Sequence, residues 1–138
     1  MTFEQLMDVL PNGLHDSFLK NISVDYISRK ISASIDIWVG NLDSKDFKDR
    51  EELRSAQLII NDFDFCTLDA PDATYQYSQN KPLSIDAGEG ISPTSKIKLP
   101  PIKKDHFLFW VWVNQWNSVI HIAARDIDLI RDKKNETF

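Results

Sequence analysis

Residues 30–40 read KISASIDIWVG, and within them Ile31, Ala33, Ile35, Ile37 and Val39 alternate with Ser32, Ser34, Asp36 and Trp38. Successive side chains of a β-strand point to opposite faces. A clean period of two, with mostly β-branched residues on one side, therefore predicts a strand half buried in an antiparallel sheet. The preceding stretch Phe18–Ile27 places Ile22, Val24 and Tyr26 in the same alternation. The polar break Ser28-Arg29-Lys30 separates the two, so the pair reads as a hairpin.

Toward the N-terminus the period changes. Phe3, Leu6, Met7 and Leu10 recur at helical intervals, Thr2 is placed to cap the first turn, and Gln5 stands three residues later to reach back to it. Pro11-Asn12-Gly13 ends this short helix. Toward the C-terminus, Phe107, Phe109, Val111 and Val113 alternate with Leu108, Trp110 and Trp112, so both faces are apolar and the strand is expected to be central or covered on both sides. Asn114–Asn117 makes the turn, and Ser118–Ile130 returns as a strand.

Between these ends, Asn41–Glu52 reads as a charged loop or an exposed turn of helix. Arg54–Asp62 and Phe63–Leu68 read as one bulged strand or two short ones. Asp69-Ala70-Pro71-Asp72 reads as a turn by composition, and Thr74–Tyr77 and Leu83–Asp86 are short strand candidates. Ala87–Leu99 is the least structured stretch, and Arg131–Phe138 is a polar tail expected to fray. The sum is a mainly β fold: an antiparallel β-sandwich or strongly curved sheet of about seven strands with one short N-terminal helix.

Length and composition narrow the function. The 138 residues fit a single domain. One cysteine excludes an internal disulfide framework and a multi-cysteine metal site, and four glycines leave little for a phosphate-cradling loop. A net charge of −5 argues against nucleic acid as a partner. No targeting segment and no run long enough to cross a membrane is read, so a cytoplasmic setting is expected. The charge is uneven: residues 1–95 carry 16 acids and 8 bases (−8), and residues 96–138 carry 5 acids and 8 bases (+3). The basic part includes Lys96, Lys98, Lys103 and Lys104 around Pro100-Pro101, read either as a solvated loop or as a segment recognising an acidic partner.

His15-Asp16 stands directly before the first strand. A histidine beside an aspartate is the pair of metal-dependent phosphohydrolases, but that chemistry needs further ligands on helices, and His106 and His121 fall in strands. The alternative is that Asp16 and Ser17 bond backbone amides at the turn into the strand. His121 and Arg125, four apart on one strand, share a face and would jointly contact an anion. Otherwise His121 is a buried histidine donating to a carbonyl, and Arg125 forms a structural ion pair with an acid. Cys66, among Phe63 and Phe65, reads as packing material with a raised pKa. Phe107, Phe109 and Trp112 read as core packing, whereas Trp110 and Trp116, if exposed, mark a protein interface.

The opening LHDSFLKNISVDYISRKISASIDI resembles a pattern in small, mostly uncharacterised bacterial proteins, with a Leu-His-Asp-Ser motif ahead of an alternating hairpin. The closing FWVWVNQWNSVIHIAARDIDL resembles their C-terminal hairpin, with its His-Ile-Ala-Ala-Arg-Asp run. Some such proteins are similar to immunity proteins, which neutralise a partner toxin. Together with the acidic N-terminal two-thirds, the tryptophan-rich hairpin and the absence of a convincing catalytic constellation, this leads to the expectation of a non-catalytic macromolecule-binding protein with a protein partner, or with a second copy of the chain. The expected binding residues are His15, Asp16, His121, Arg125, Trp110 and Trp116, with no catalytic residue, metal or cofactor. The alternatives are a metal- or anion-dependent enzyme using His15, Asp16, His121 and Arg125, and a small-ligand-binding sandwich with its pocket between the sheets.

Overall fold

The alternating stretch forms β2 (Lys30–Trp38), with Ile31, Ala33, Ile35 and Ile37 buried and Ser32, Ser34 and Asp36 half-buried on the other face. It pairs antiparallel with β1 (Ser17–Asp25) across a turn in which Asp25 Oδ1 accepts from the amides of Ile27 and Ser28. β3 (Leu53–Leu68) adds to its other side, preceded by the single helical turn α2 (Phe47–Arg50). A second meander follows: β4 (Leu83–Glu89), β5 (Phe107–Val113) and β6 (Ser118–Arg131). The structure, a computed structural model, describes residues 1–40, 43–50, 52–76 and 78–131. Tyr77, the end of one expected strand, and most of the expected frayed tail lie outside the described residues; Thr74–Gln76 form no strand.

The two meanders join at both sides, giving a closed barrel in the order β1-β2-β3-β6-β5-β4. This corrects the expected sandwich or strongly curved sheet to a closed barrel, and among the described residues six strands replace about seven. Alternation in sequence is the same for a sandwich layer and a barrel wall, because each presents one apolar and one polar face. Closure is decided by the seam between β1 and β4, which is only three residue pairs long: Ser17↔Ile85, Phe18↔Ser84 and Leu19↔Leu83. Bulges supply the bending. The register slips between Leu19 and Asn21 in β1 and between Phe63 and Phe65 in β3. β3 is thus one bulged strand, and Arg29 secures the bulge by donating from Nε to Phe63 O and from a terminal nitrogen to Asp64 O.

The lumen is filled. Phe63, Phe109, Ile31, Ile60, Ile122 and Ile127 are at most 2 % exposed, and the residual apolar void is about 30 Å³, room for about one water molecule. The N-terminal helix α1 (Phe3–Val9) contributes Phe3 and Leu6 to the same core, with the Phe3 ring stacked on Phe109 at 4.6 Å. Its capping box forms as expected: Thr2 Oγ1 accepts from the Gln5 amide and Gln5 Oε1 from the Thr2 amide. Among the described residues no helix is long and apolar enough to cross a membrane.

Candidate functional site on the outer face

A barrel wall normally shows water its second face, yet over the first half of β6, Ser118–Ala124, both faces are buried. Ile120, Ile122 and Ala124 point into the lumen; Val119, His121 and Ala123, on the outside, are at most 1 % exposed. The cover is the connection 90–106, which leaves β4, passes over β5 and β6, and is tied down along its length. The Ser92 amide donates to His121 Nε2 at 3.0 Å. At the far end, His106 Nδ1 lies 2.6 Å from Asp64 Oδ2, and Lys103 Nζ lies 3.1 Å from Asp64 Oδ1. Of the stretch read as least structured, Ala87–Glu89 completes β4, and the remainder, with the lysine run, is a strap across the two-faced hairpin.

Where the strap meets the turn after β3 it leaves a concavity of about 500 Å³. Its walls are Asp69, Ala70 and Asp72 on one side, Thr94, Lys96 and Ile97 on the strap, and Trp112, Asn117, Ser118 and Val119 on the barrel. The walls are fixed by hydrogen bonds. The Asp69 amide donates to Val119 O at 3.0 Å, Ser118 Oγ to Asp69 O at 2.7 Å, and the Asp72 amide to Trp116 O at 2.8 Å. Ser95 Oγ donates to the Asp69 carboxylate, tying the strap to the turn. Asp72 is held below the usual carboxylate range, first by the Thr74 amide and then by the Thr74 hydroxyl and the Asn117 amide group. Among the described residues none of Asp69, Asp72 and Lys96 has an ion-pair partner, and the Trp112 indole N–H makes no hydrogen bond.

The residues singled out in the sequence lie apart from this cleft or only border it. His15 Nδ1 is 2.6 Å from Asp86 Oδ1 on β4, just past the Ser17↔Ile85 pair, so the two half-exposed side chains extend the short β1–β4 seam. Such an exposed pair contributes ~0.2–1 kcal/mol. Asp16 adopts a left-handed conformation (φ 57°), and its carbonyl accepts from Trp38 Nε1 at 2.7 Å. The buried Ser17 Oγ finds no partner among the described residues, so the expected side-chain bonds to turn amides do not form; backbone geometry makes the turn instead. His121 accepts from an amide rather than donating to a carbonyl. Arg125 is exposed with no ion pair among the described residues, while Asp126 binds the Met1 amino group at 2.6 Å. His15, Asp16, His121 and Arg125 share no partner, and no cluster of three metal-ligating side chains occurs among the described residues.

The tryptophans are part of the packing. Trp110 lies across Gly88 of the neighbouring strand, and Trp116 packs on the core with Tyr75 edge-on at 6.3 Å; both are half-buried. Burial pushes the Cys66 thiol up to about 11, as expected of a cysteine among aromatics. The sequence reading missed Asp69 and Asp72, which looked like ordinary turn residues, and Trp112, which looked like core. The one signal was the two-faced strand, since something had to lie against Trp110 and Trp112.

His121 links strap and pH. Burial pushes its pKa below the ordinary value, with the charge of Asp69 opposing the shift. The unfolded chain takes up this proton near pH 6.5, the folded chain only at lower pH. The stabilisation is therefore complete above about pH 6.5 and is lost as pH falls below it. The urea midpoint of the wild-type chain is expected to drop more between pH 7.5 and 5.5 than that of His121→Gln. Equal drops would contradict this role.

Comparison with family models, curated proteins and solved structures returns no match.

Proposed function

We propose that the protein is a non-catalytic macromolecule-binding protein that recognises a protein partner through its outer β5–β6 face and the cleft beside it. The observation that carries this reading is the placement of the concavity. The lumen is packed solid, whereas the cleft outside it combines an aromatic residue with three charges that lack ion-pair partners among the described residues. Recognition sites require such convergent polar groups on a fixed frame, and the Asp69–Asp72 turn is laced by backbone bonds to Val119 of β6 and to Trp116 in the turn before it. A packed lumen also weighs against the small-ligand reading in its original form, a pocket between sheets.

Neutralisation of a toxin, which the resemblance of the two terminal motifs implies, is the specific form of this proposal. The test is co-expression with toxin domains encoded beside the gene, scored by growth and by isolation of a complex. Protection that is lost in Trp112→Ala, with the thermal midpoint retained, is the expected result. Growth arrest with every neighbouring toxin, or protection indifferent to Trp112, would overturn the proposal.

A further inference from the structure

We infer that the cleft takes an arginine side chain of the partner, its guanidinium lying against the indole of Trp112 and bonded to the carboxylates of Asp69 and Asp72. This rests on the reading of the outer face as the recognition surface and names the chemistry that the surface selects. Among the described residues the Asp69 carboxylate accepts only from the Ser95 hydroxyl, so acceptor positions remain open. Asp72 is kept ionised by the Thr74 amide and hydroxyl. Neither is neutralised by a cation among the described residues, and a ligand that excludes water from them must bring positive charge or leave two carboxylates desolvated.

A guanidinium meets these demands together. Its five N–H donors form a planar fork suited to carboxylates, and its flat face stacks on an aromatic ring. An ammonium matches the charge but is a compact, strongly hydrated point that offers no stacking face. The volume of about 500 Å³ admits the whole side chain with the backbone beside it. The net charge of −5 favours a cationic partner, and within the cleft the two aspartates outnumber the single Lys96. Lys96 works against the cation from the strap wall, which fixes the sign of its removal.

The probe is Nα-acetyl-arginine amide, titrated into the ¹⁵N-labelled full chain and followed at the Trp112 indole N–H. The lysine amide and the uncharged citrulline amide serve as comparisons. A saturable shift is expected with the arginine probe, weakened about tenfold for citrulline, because charge-assisted hydrogen bonds are replaced by neutral ones. Asp69→Asn and Asp72→Asn should each weaken binding about threefold or more, and the exposed Lys96→Ala should tighten it about twofold. Citrulline binding as tightly as arginine, weaker binding in Lys96→Ala, or no shift at Trp112 would each overturn the inference. Because Lys96 is exposed, that arm survives if an aspartate variant fails to fold. A chain that ignores the probe but still loses its complex on Trp112→Ala would overturn the arginine assignment alone and leave the outer-face reading standing.

Discussion

Phe109→Ala is expected to destabilise the protein by about 3–5 kcal/mol, the range for deleting a fully buried phenylalanine whose surroundings relax only in part. The ring is 0 % exposed and lies in the lumen, stacked on Phe3 at 4.6 Å with the planes 7° apart. Its loss therefore opens a cavity and also removes the platform on which α1 is seated. Domains of this size are stable by about 5–15 kcal/mol, so a large share of the total is at stake. Urea unfolding followed by tryptophan fluorescence should show the midpoint falling sharply. The half-exposed Ile130→Ala should change it by about 0.5 kcal/mol or less. A double-mutant cycle with Phe3→Ala isolates the ring–ring contribution, expected at about 0.5–1.5 kcal/mol. A cost for Phe109→Ala near that of Ile130→Ala would contradict a closed, filled barrel.

Gly88→Ala should cost about 1–3 kcal/mol, for a steric reason alone. A Cβ on Gly88 would overlap Cζ2 and Cε2 of the Trp110 indole and lie 2.9 Å from its Nε1, so the ring or the strand must move. The same change at Gly90 meets no atom within 4 Å, and only its φ of +82° resists a side chain, so the two substitutions separate crowding from backbone strain. In a Trp110→Ala background the clash is gone, and Gly88→Ala should become neutral or slightly stabilising through the stiffer unfolded chain. A Gly88→Ala penalty that persists without Trp110 would refute the contact as its cause. Displacement of the indole should also appear as a red shift in emission, since the ring moves toward water.

Both variants bear on how much the sequence discloses. The period-two pattern of residues 30–40 placed one face of β2 in the core correctly, and the T-x-x-Q signature of α1 matched the capping box observed. These features are local: the alternation follows from strand geometry and the cap from bonds within four residues. The two apolar faces of Phe107–Val113 also announced that something covers that strand, but not what. Nothing in the lysine-rich stretch 96–104 reveals that its neighbours Ser92 and His106 bind His121 and Asp64, residues far apart in sequence.

The cleft was hidden for the same reason. Asp69 and Asp72 read as turn formers, and they are; they border the cleft only because the turn, the strap and β5 meet. His15-Asp16 is the converse case, a conspicuous pair that the fold divides between a seam contact with Asp86 and a backbone bond to Trp38.

By itself, the sequence determined the class of structure: antiparallel strands, a short capped helix, a two-faced C-terminal hairpin and an acidic body with a basic segment. Those properties depend on side-chain periodicity and on charge, which are summed along the chain. Tertiary structure alone decided that the sheet closes, because closure rests on three residue pairs between β1 and β4 and on bulges that alternation does not encode. It also decided where the concavity lies, since a barrel this narrow fills its lumen with side chains, and the cleft forms on the outside, where the strap crosses the wall.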